Sequence, residues 1–193
     1  MADRIVPIEV SARHVHLSAA DAATLFGAGY ELTSEKAISQ PGQFAARETV
    51  RVVGPKNSFD RVRIIGPLRP ETQVEISMTD GYMLGIKPVM ARSGVLENST
   101  GGLTIIGPQG EIKMTKGIIV AQRHLHISPA QAKEWSLHNL DIISIRVDGP
   151  RAVIFNKVVV RAREGIDTLS FMLDTDEANA AGVAQGDQGI LIP

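Results

Sequence analysis

Four of the five histidines of the chain stand in two His-x-His pairs, His14 with His16 and His124 with His126. Residues two apart on a strand point to the same side, so each pair presents both imidazoles to one point. Neutral imidazole is a common zinc ligand, and a catalytic zinc site takes three protein ligands and keeps one position open. Each pair follows an arginine, Arg13 or Arg123, read either as part of the site or as a surface charge flanking a strand. There is no cysteine, which removes disulfides, thiolate ligands and a cysteine nucleophile together.

The pairs lie in similar surroundings. Residues 8–22 read IEVSARHVHLSAADA and residues 118–132 read IIVAQRHLHISPAQA, identical at eight of fifteen positions and 110 residues apart. Such self-similarity points to two related structural units rather than a short-period solenoid, with a boundary near Gly117 that divides the chain into 1–117 and 118–193. The same alignment supplies a third ligand. Carried forward, it sets Phe59-Asp60-Arg61-Val62 against Phe155-Asn156-Lys157-Val158 and, with one gap, Val74-Glu75-Ile76 against Phe171-Met172-Leu173. Glu75 alternates with two apolar neighbours and so projects away from them, which completes a set of His14, His16 and Glu75. In the second copy that position is Met172, and a thioether is a poor zinc ligand that suits Cu(I) better. Asp174, two residues on, and His138 are the alternatives there; His138 in Leu137-His138-Asn139-Leu140 reads mainly as a helix end.

The elements that must position these residues follow one grammar in both copies. A β-branched run ends in His-x-His, and a serine then caps a short helix: Ser18 before 19–26, Ser128 before 129–135 with Pro129 at the first helical position. Short strands follow between Gly-Pro turns, including 49–53, 62–65, 103–106 and 158–160. The expected fold is mainly β, two repeated small β-barrel domains capped by short helices. The length of 193 residues, 44% hydrophobic and 21% charged, is ordinary globular composition, and a net charge of -1 gives no argument for nucleic acid or a membrane surface as partner. No targeting segment or apolar span is visible, so a cytoplasmic location is expected. A Walker-type loop, a dinucleotide glycine fingerprint and a Gly-x-Ser-x-Gly elbow are missing. Arg92-Ser93-Gly94 and Ser99-Thr100-Gly101-Gly102 read as polar loops, with lining of a nucleotide or pantetheine path as the alternative.

At these residues the sequence resembles the PduL-type phosphate acyltransferases, the phosphotransacylases of the phosphate propanoyltransferase family. The resemblance rests on Arg-His-Val-His-Leu-Ser, Gln40-Pro41-Gly42-Gln43, Gly66-Pro67-Leu68-Arg69, Gln73-Val74-Glu75-Ile76-Ser77, Gln122-Arg123-His124-Leu125-His126 and Asp174-Thr175-Asp176-Glu177-Ala178-Asn179. It implies two β-barrel domains holding two nearby zinc ions, one on His14, His16 and Glu75 and one on His124, His126 and a third histidine that is Met172 here. It implies Arg69 as the catalytic, phosphate-binding arginine, and acyl-CoA (acetyl- or propanoyl-CoA), coenzyme A and phosphate as the partners. A homodimer is compatible with it, and an acetate kinase is the pathway partner that analogy suggests. Members sent into bacterial microcompartments carry an N-terminal extension, for which this sequence leaves no room. Two rivals remain: a zinc acyl-CoA thioesterase using the same His-His-Glu set, and a weakened paralogue that binds coenzyme A without turnover.

Overall fold

The computed structural model describes residues 3–192. In chain order its elements are β1 (Ile5–Ser11), β2 (His14–His16), α1 (Ala19–Phe26), β3 (Ser34–Ala37), β4 (Phe44–Val53), β5 (Ser58–Gly66), β6 (Gln73–Glu75), α2 (Met78–Leu84), β7 (Val89–Ala91), β8 (Leu103–Ile106), β9 (Glu111–Met114) and β10 (Ile118–Ala121). They continue with β11 (His124–His126), α3 (Pro129–Glu134), β12 (Ile142–Val147), β13 (Val153–Arg161), β14 (Ser170–Asp174), α4 (Thr175–Ala181) and β15 (Gln188–Ile192). The chain is mainly β with short helical caps, as expected. Among the described residues no helix is long and apolar enough to cross a membrane.

The chain forms two compact units. One contains the residues up to Ala12, Ser39–Pro41 and those from Gln122 onward; the other contains Arg13–Ile38 and Gly42–Ala121. The first is a closed barrel in the order β1-β14-β11-β13-β12-β15. The second is a nine-stranded sheet, β7-β10-β6-β2-β5-β4-β8-β9 with β3 paired to β4. Alternation builds each core. In the sheet unit Val15, Ile64, Val74 and Ile105 are fully buried, and in the barrel unit Val6, Ile8, Leu125, Val160 and Phe171 are. The serine caps act as read: Ser18 accepts from the Asp21 amide and Ser128 from the Gln131 amide, with Pro129 in the first turn.

The compact units do not follow the sequence boundary at 117/118. The run expected to lead unbroken into His-x-His is cut between Ser11 and His14, and its two parts lie in different units. β1 pairs with β14 and β15 in the barrel, whereas β10, its counterpart 110 residues on, pairs with β6 and β7 in the sheet. Burial accounts for it: Val6 and Ile8 are fully covered in the barrel core, Ile118 and Ile119 in the sheet unit. The boundary thus describes the sequence similarity, and the compact units cut across it.

Register is what positions the histidines. β2 lies antiparallel to β6 with His14 opposite Glu75, Val15 opposite Val74 and His16 opposite Gln73. β11 lies antiparallel to β14 with His124 opposite Met172, Leu125 opposite Phe171 and His126 opposite Ser170. In each, the middle pair is apolar and fully buried in the core, which turns the flanking histidines to the other face.

Candidate metal centre

In the sheet unit, His14, His16 and Glu75 come together with their ligand atoms within 4.8 Å of one another. Glu75 Oε1 lies 3.7 Å from the Nε2 atoms of both His14 and His16. His16 and Glu75 are buried, at 2% and 8% exposure. His16 Nδ1 is 2.9 Å from the carbonyl oxygen of Ile65. A carbonyl only accepts, so the ring proton sits on Nδ1 and Nε2 offers its lone pair to the site. Burial, helped by the charges of His14 and Arg69, pushes the His16 imidazole down to about 3, so the ring is neutral at physiological pH. Burial alone would raise Glu75, but the adjoining imidazoles of His14 and His16 and the Ser93 hydroxyl hold it well below the usual carboxylate range. Two imidazoles and one carboxylate converging on one point are a donor set that fits zinc and leaves a position open. This cluster could hold a metal ion.

Arg69 joins the cluster through a serine that the sequence left among loop residues. The Arg69 amide donates to the Leu17 carbonyl at 2.8 Å, placing the residue beside the end of β2. Its Nη1 donates to Ser93 Oγ at 3.2 Å, and Ser93 Oγ donates to Glu75 Oε1 at 2.7 Å. Gln73 Nε2 donates to the same hydroxyl at 3.0 Å and also to Glu75 Oε1, while Gln73 Oε1 accepts from the Gly94 amide at 2.8 Å. Ser93 thus uses its one donor and two acceptor sites to tie the carboxylate to the guanidinium. Only the tertiary fold reveals this, since 18 residues separate Ser93 from Glu75.

In the barrel unit, His124 and His126 also converge, with Nε2 atoms 3.0 Å apart. His124 Nδ1 donates to the Gln122 carbonyl at 2.8 Å and His126 Nδ1 donates to Asp167 Oδ1 at 2.6 Å. Asp167 is buried, and Arg163 grips it with Nε at 2.9 Å and Nη2 at 2.8 Å. Burial opposes its charge, but these bonds from Arg163 and His126 hold its carboxyl well below the usual range. Burial also pushes the His126 imidazole down, against the pull of Asp167. A carboxylate holding a histidine by Nδ1 is a common support for a metal ligand, and no sequence signal marked Asp167. Met172 stands where Glu75 stands in the other unit, its sulfur 3.8 Å from the donating Ser170 Oγ. Gln40, buried, donates to Ser170 Oγ at 2.9 Å and so braces this strand. The two alternative ligands are engaged elsewhere. Asp174 caps α4 by accepting from the Glu177 amide, and His138 is exposed beside Asp141.

The arginines before each pair are not loose surface charges. Arg13 donates to Asp80 Oδ1 through Nε at 3.0 Å and Nη2 at 2.7 Å, with its guanidinium 4.2 Å from the Phe59 ring centroid. Arg123 meets Glu177 at 2.6 Å and lies 5.4 Å from the Phe155 centroid. Asp80 and Glu177 are the capping-box acids of α2 and α4, the helices that follow the strands carrying Glu75 and Met172. Each arginine therefore fastens the histidine strand to the element opposite it.

A family profile described as phosphate propanoyltransferase matches residues 7–184 of the chain. A phosphate propanoyltransferase of Thermotoga maritima is 51% identical over 181 residues, covering 93% of this chain and 85% of that protein. One from Rhodopseudomonas palustris is 49% identical over 175 residues, with 91% and 76% covered. One from Rhodobacter capsulatus is 48% identical over 179 residues, with 93% and 82% covered.

Proposed function

Because the chain belongs to the phosphate propanoyltransferase family, a family of acyltransferases, we propose that it moves an acetyl or propanoyl group between coenzyme A and inorganic phosphate at a zinc centre on His14, His16 and Glu75. The observation that supports this reading is the Ser93 link between the guanidinium of Arg69 and the carboxylate of the three-donor cluster. A phosphate oxygen attacks the thioester carbonyl, the carbon–oxygen bond forms, the carbon–sulfur bond breaks, and coenzyme A leaves as the thiolate. With no cysteine in the chain, no acyl group passes through a protein thiol. Arg69 holds phosphate by its planar fork and offsets the charge that develops on the carbonyl oxygen. Glu75, kept ionised by its neighbours, and the Nε2 atoms of His14 and His16 are the donors for the metal. Zinc held there supplies a Lewis-acidic positive charge able to orient an oxyanion or stabilise a departing thiolate.

We read the two sequence repeats, 1–117 and 118–193, as products of a duplication, supported by the common register of His14 with Glu75 and His124 with Met172. The lack of cysteine suits a reducing compartment, and we assign the reaction to the cytoplasm. An acyl phosphate is a ready phosphoryl donor, so a kinase of the acetate kinase type is the enzyme we expect to consume it. A homodimer is compatible with this reading.

The test is release of coenzyme A from acetyl- and propanoyl-CoA, with and without phosphate, on protein of known metal content. Release that requires phosphate and disappears in Arg69→Ala and His14→Ala supports the proposal. Release that ignores phosphate makes the protein a thioesterase, and binding of coenzyme A without release makes it a non-catalytic paralogue.

A further inference from the structure

The second histidine pair is a built cation site whose third donor does not suit zinc. Both rings carry their proton on Nδ1, where the Gln122 carbonyl and the Asp167 carboxylate accept it. The Nε2 atoms are therefore the ring positions left to bind a cation, and they face each other at 3.0 Å. Two nitrogens at that distance need a positive charge, a proton or a metal ion, against both. Metal–nitrogen bonds of about 2.0–2.1 Å spanning that gap meet at roughly 90–95°, a bite that one ion can accept.

The donors at that position are two imidazoles and, from Met172 opposite His124, a thioether, and the charge of Asp167 is already matched by Arg163 at 2.8 Å. Glu75, in the other unit, brings a carboxylate directly to its cluster. His124 and His126 are 8% and 5% exposed. Three neutral imidazoles hold zinc well, so what sets this position apart is the thioether in place of the third ring. Thioether and imidazole together select a soft ion.

We propose that His124, His126 and Met172 form a site of two nitrogens and one sulfur for a soft monovalent cation of the Cu(I) class, separate in metal preference from the His14–His16–Glu75 cluster. Its test reads metal content and not turnover. Metal-free protein is titrated with Cu(I) against a chromophoric Cu(I) chelator under reducing, anaerobic conditions, and the bound copper is examined by X-ray absorption. The expected result is one tightly held Cu(I) per chain with a sulfur scatterer, retained in His14→Ala. Met172→Leu is expected to lose the sulfur signal and weaken Cu(I) by about tenfold or more. Met172→His should abolish the sulfur signal and raise zinc content from one toward two per chain. Copper bound without sulfur, equal Cu(I) affinity in Met172→Leu, or two tightly bound zinc ions in the unaltered protein would each overturn the proposal. So would a folded His14→Ala protein that takes up no Cu(I). Loss of zinc in His14→Ala bears on the first cluster alone, so failure of that reading is distinguishable.

Discussion

Replacement of Ser93 by alanine isolates the link between the metal cluster and the arginine. The hydroxyl gives its only proton to Glu75 Oε1 at 2.7 Å and accepts from Arg69 Nη1 at 3.2 Å and Gln73 Nε2 at 3.0 Å. A hydrogen bond to a charged group contributes about 1.5–3 kcal/mol. Gln73 Nε2 also reaches Glu75 Oε1 and retains part of that, so the net loss at the carboxylate is about 1–2 kcal/mol. In a binding constant this is a weakening of zinc by roughly 5–30-fold. Arg69 loses one acceptor at the same time, so the KM for phosphate should rise while that for acyl-CoA moves less. Zinc affinity is read by competition with a chromophoric chelator. Turnover is read with a thiol reagent, which sees only released coenzyme A because the chain has no cysteine. A Ser93→Ala protein whose zinc affinity and phosphate KM both stay within about twofold of the parent, a change worth only about 0.4 kcal/mol, would refute the coupling.

Arg69→Lys keeps the charge but loses the fork, and kcat/KM for phosphate should fall far more than the affinity for coenzyme A, as steady-state kinetics at varied phosphate would show. Arg13→Met strips the partner from Asp80, whose side chain is 3% exposed. Because the arginine is itself 40% exposed, the expected loss is about 1–2 kcal/mol of stability in chemical denaturation rather than the full cost of a buried pair. Gly54→Ala would set its Cβ 2.3 Å from the Leu84 carbonyl oxygen at the end of α2, and about 1–3 kcal/mol of destabilisation is expected in the same assay. For the metal-free protein, His16 is depressed from 6.5 to about 3 when folded. The unfolded chain therefore binds the proton first, and the stability contributed by the neutral ring is complete above the unfolded value and lost as pH falls from 6.5 toward 3. Between pH 6.5 and 5.5 the decline from this group is about 1 kcal/mol, and it should be missing from the pH dependence of His16→Asn.

The parts of the site that could be read from the sequence are those that local geometry controls. The two-residue spacing of His14 and His16 sets both on one face of any strand, whatever the strand pairs with. Glu75 was reached by a longer route, because carrying the self-similarity of the two copies forward with a gap aligned it with Met172. The register then places each of them opposite the first histidine of its pair. The caps at Ser18 and Ser128 depend on three or four residues and lie where expected. Glu75 and Met172 were informative together, since a substitution at one matched position changes what the other implies.

What the sequence left open depends on contacts between distant segments. Ser93 stands in Arg-Ser-Gly and Asp167 in Gly-Ile-Asp-Thr, both plain turn compositions. Their partners, Glu75 and His126, lie 18 and 41 residues away. Arg13 and Arg123 could be read as site residues or as flanking charges, because the acids they hold belong to helix caps 67 and 54 residues further on. The strand before each histidine pair shows the same limit most plainly. Its apolar pattern, alternating at Val6 and Ile8 and continuous at Ile118 and Ile119, calls for burial, and all four are buried. Alternation is blind to which sheet does the burying, because any core of the right depth satisfies it. The selection came instead from Ala12 and Arg13, where the run breaks. Arg13 is committed to Asp80 and Phe59 in the sheet unit, while Ile8 is committed to the barrel core. One continuous strand cannot meet both commitments, so the chain crosses between units at that point, and the histidines begin a new strand just beyond it.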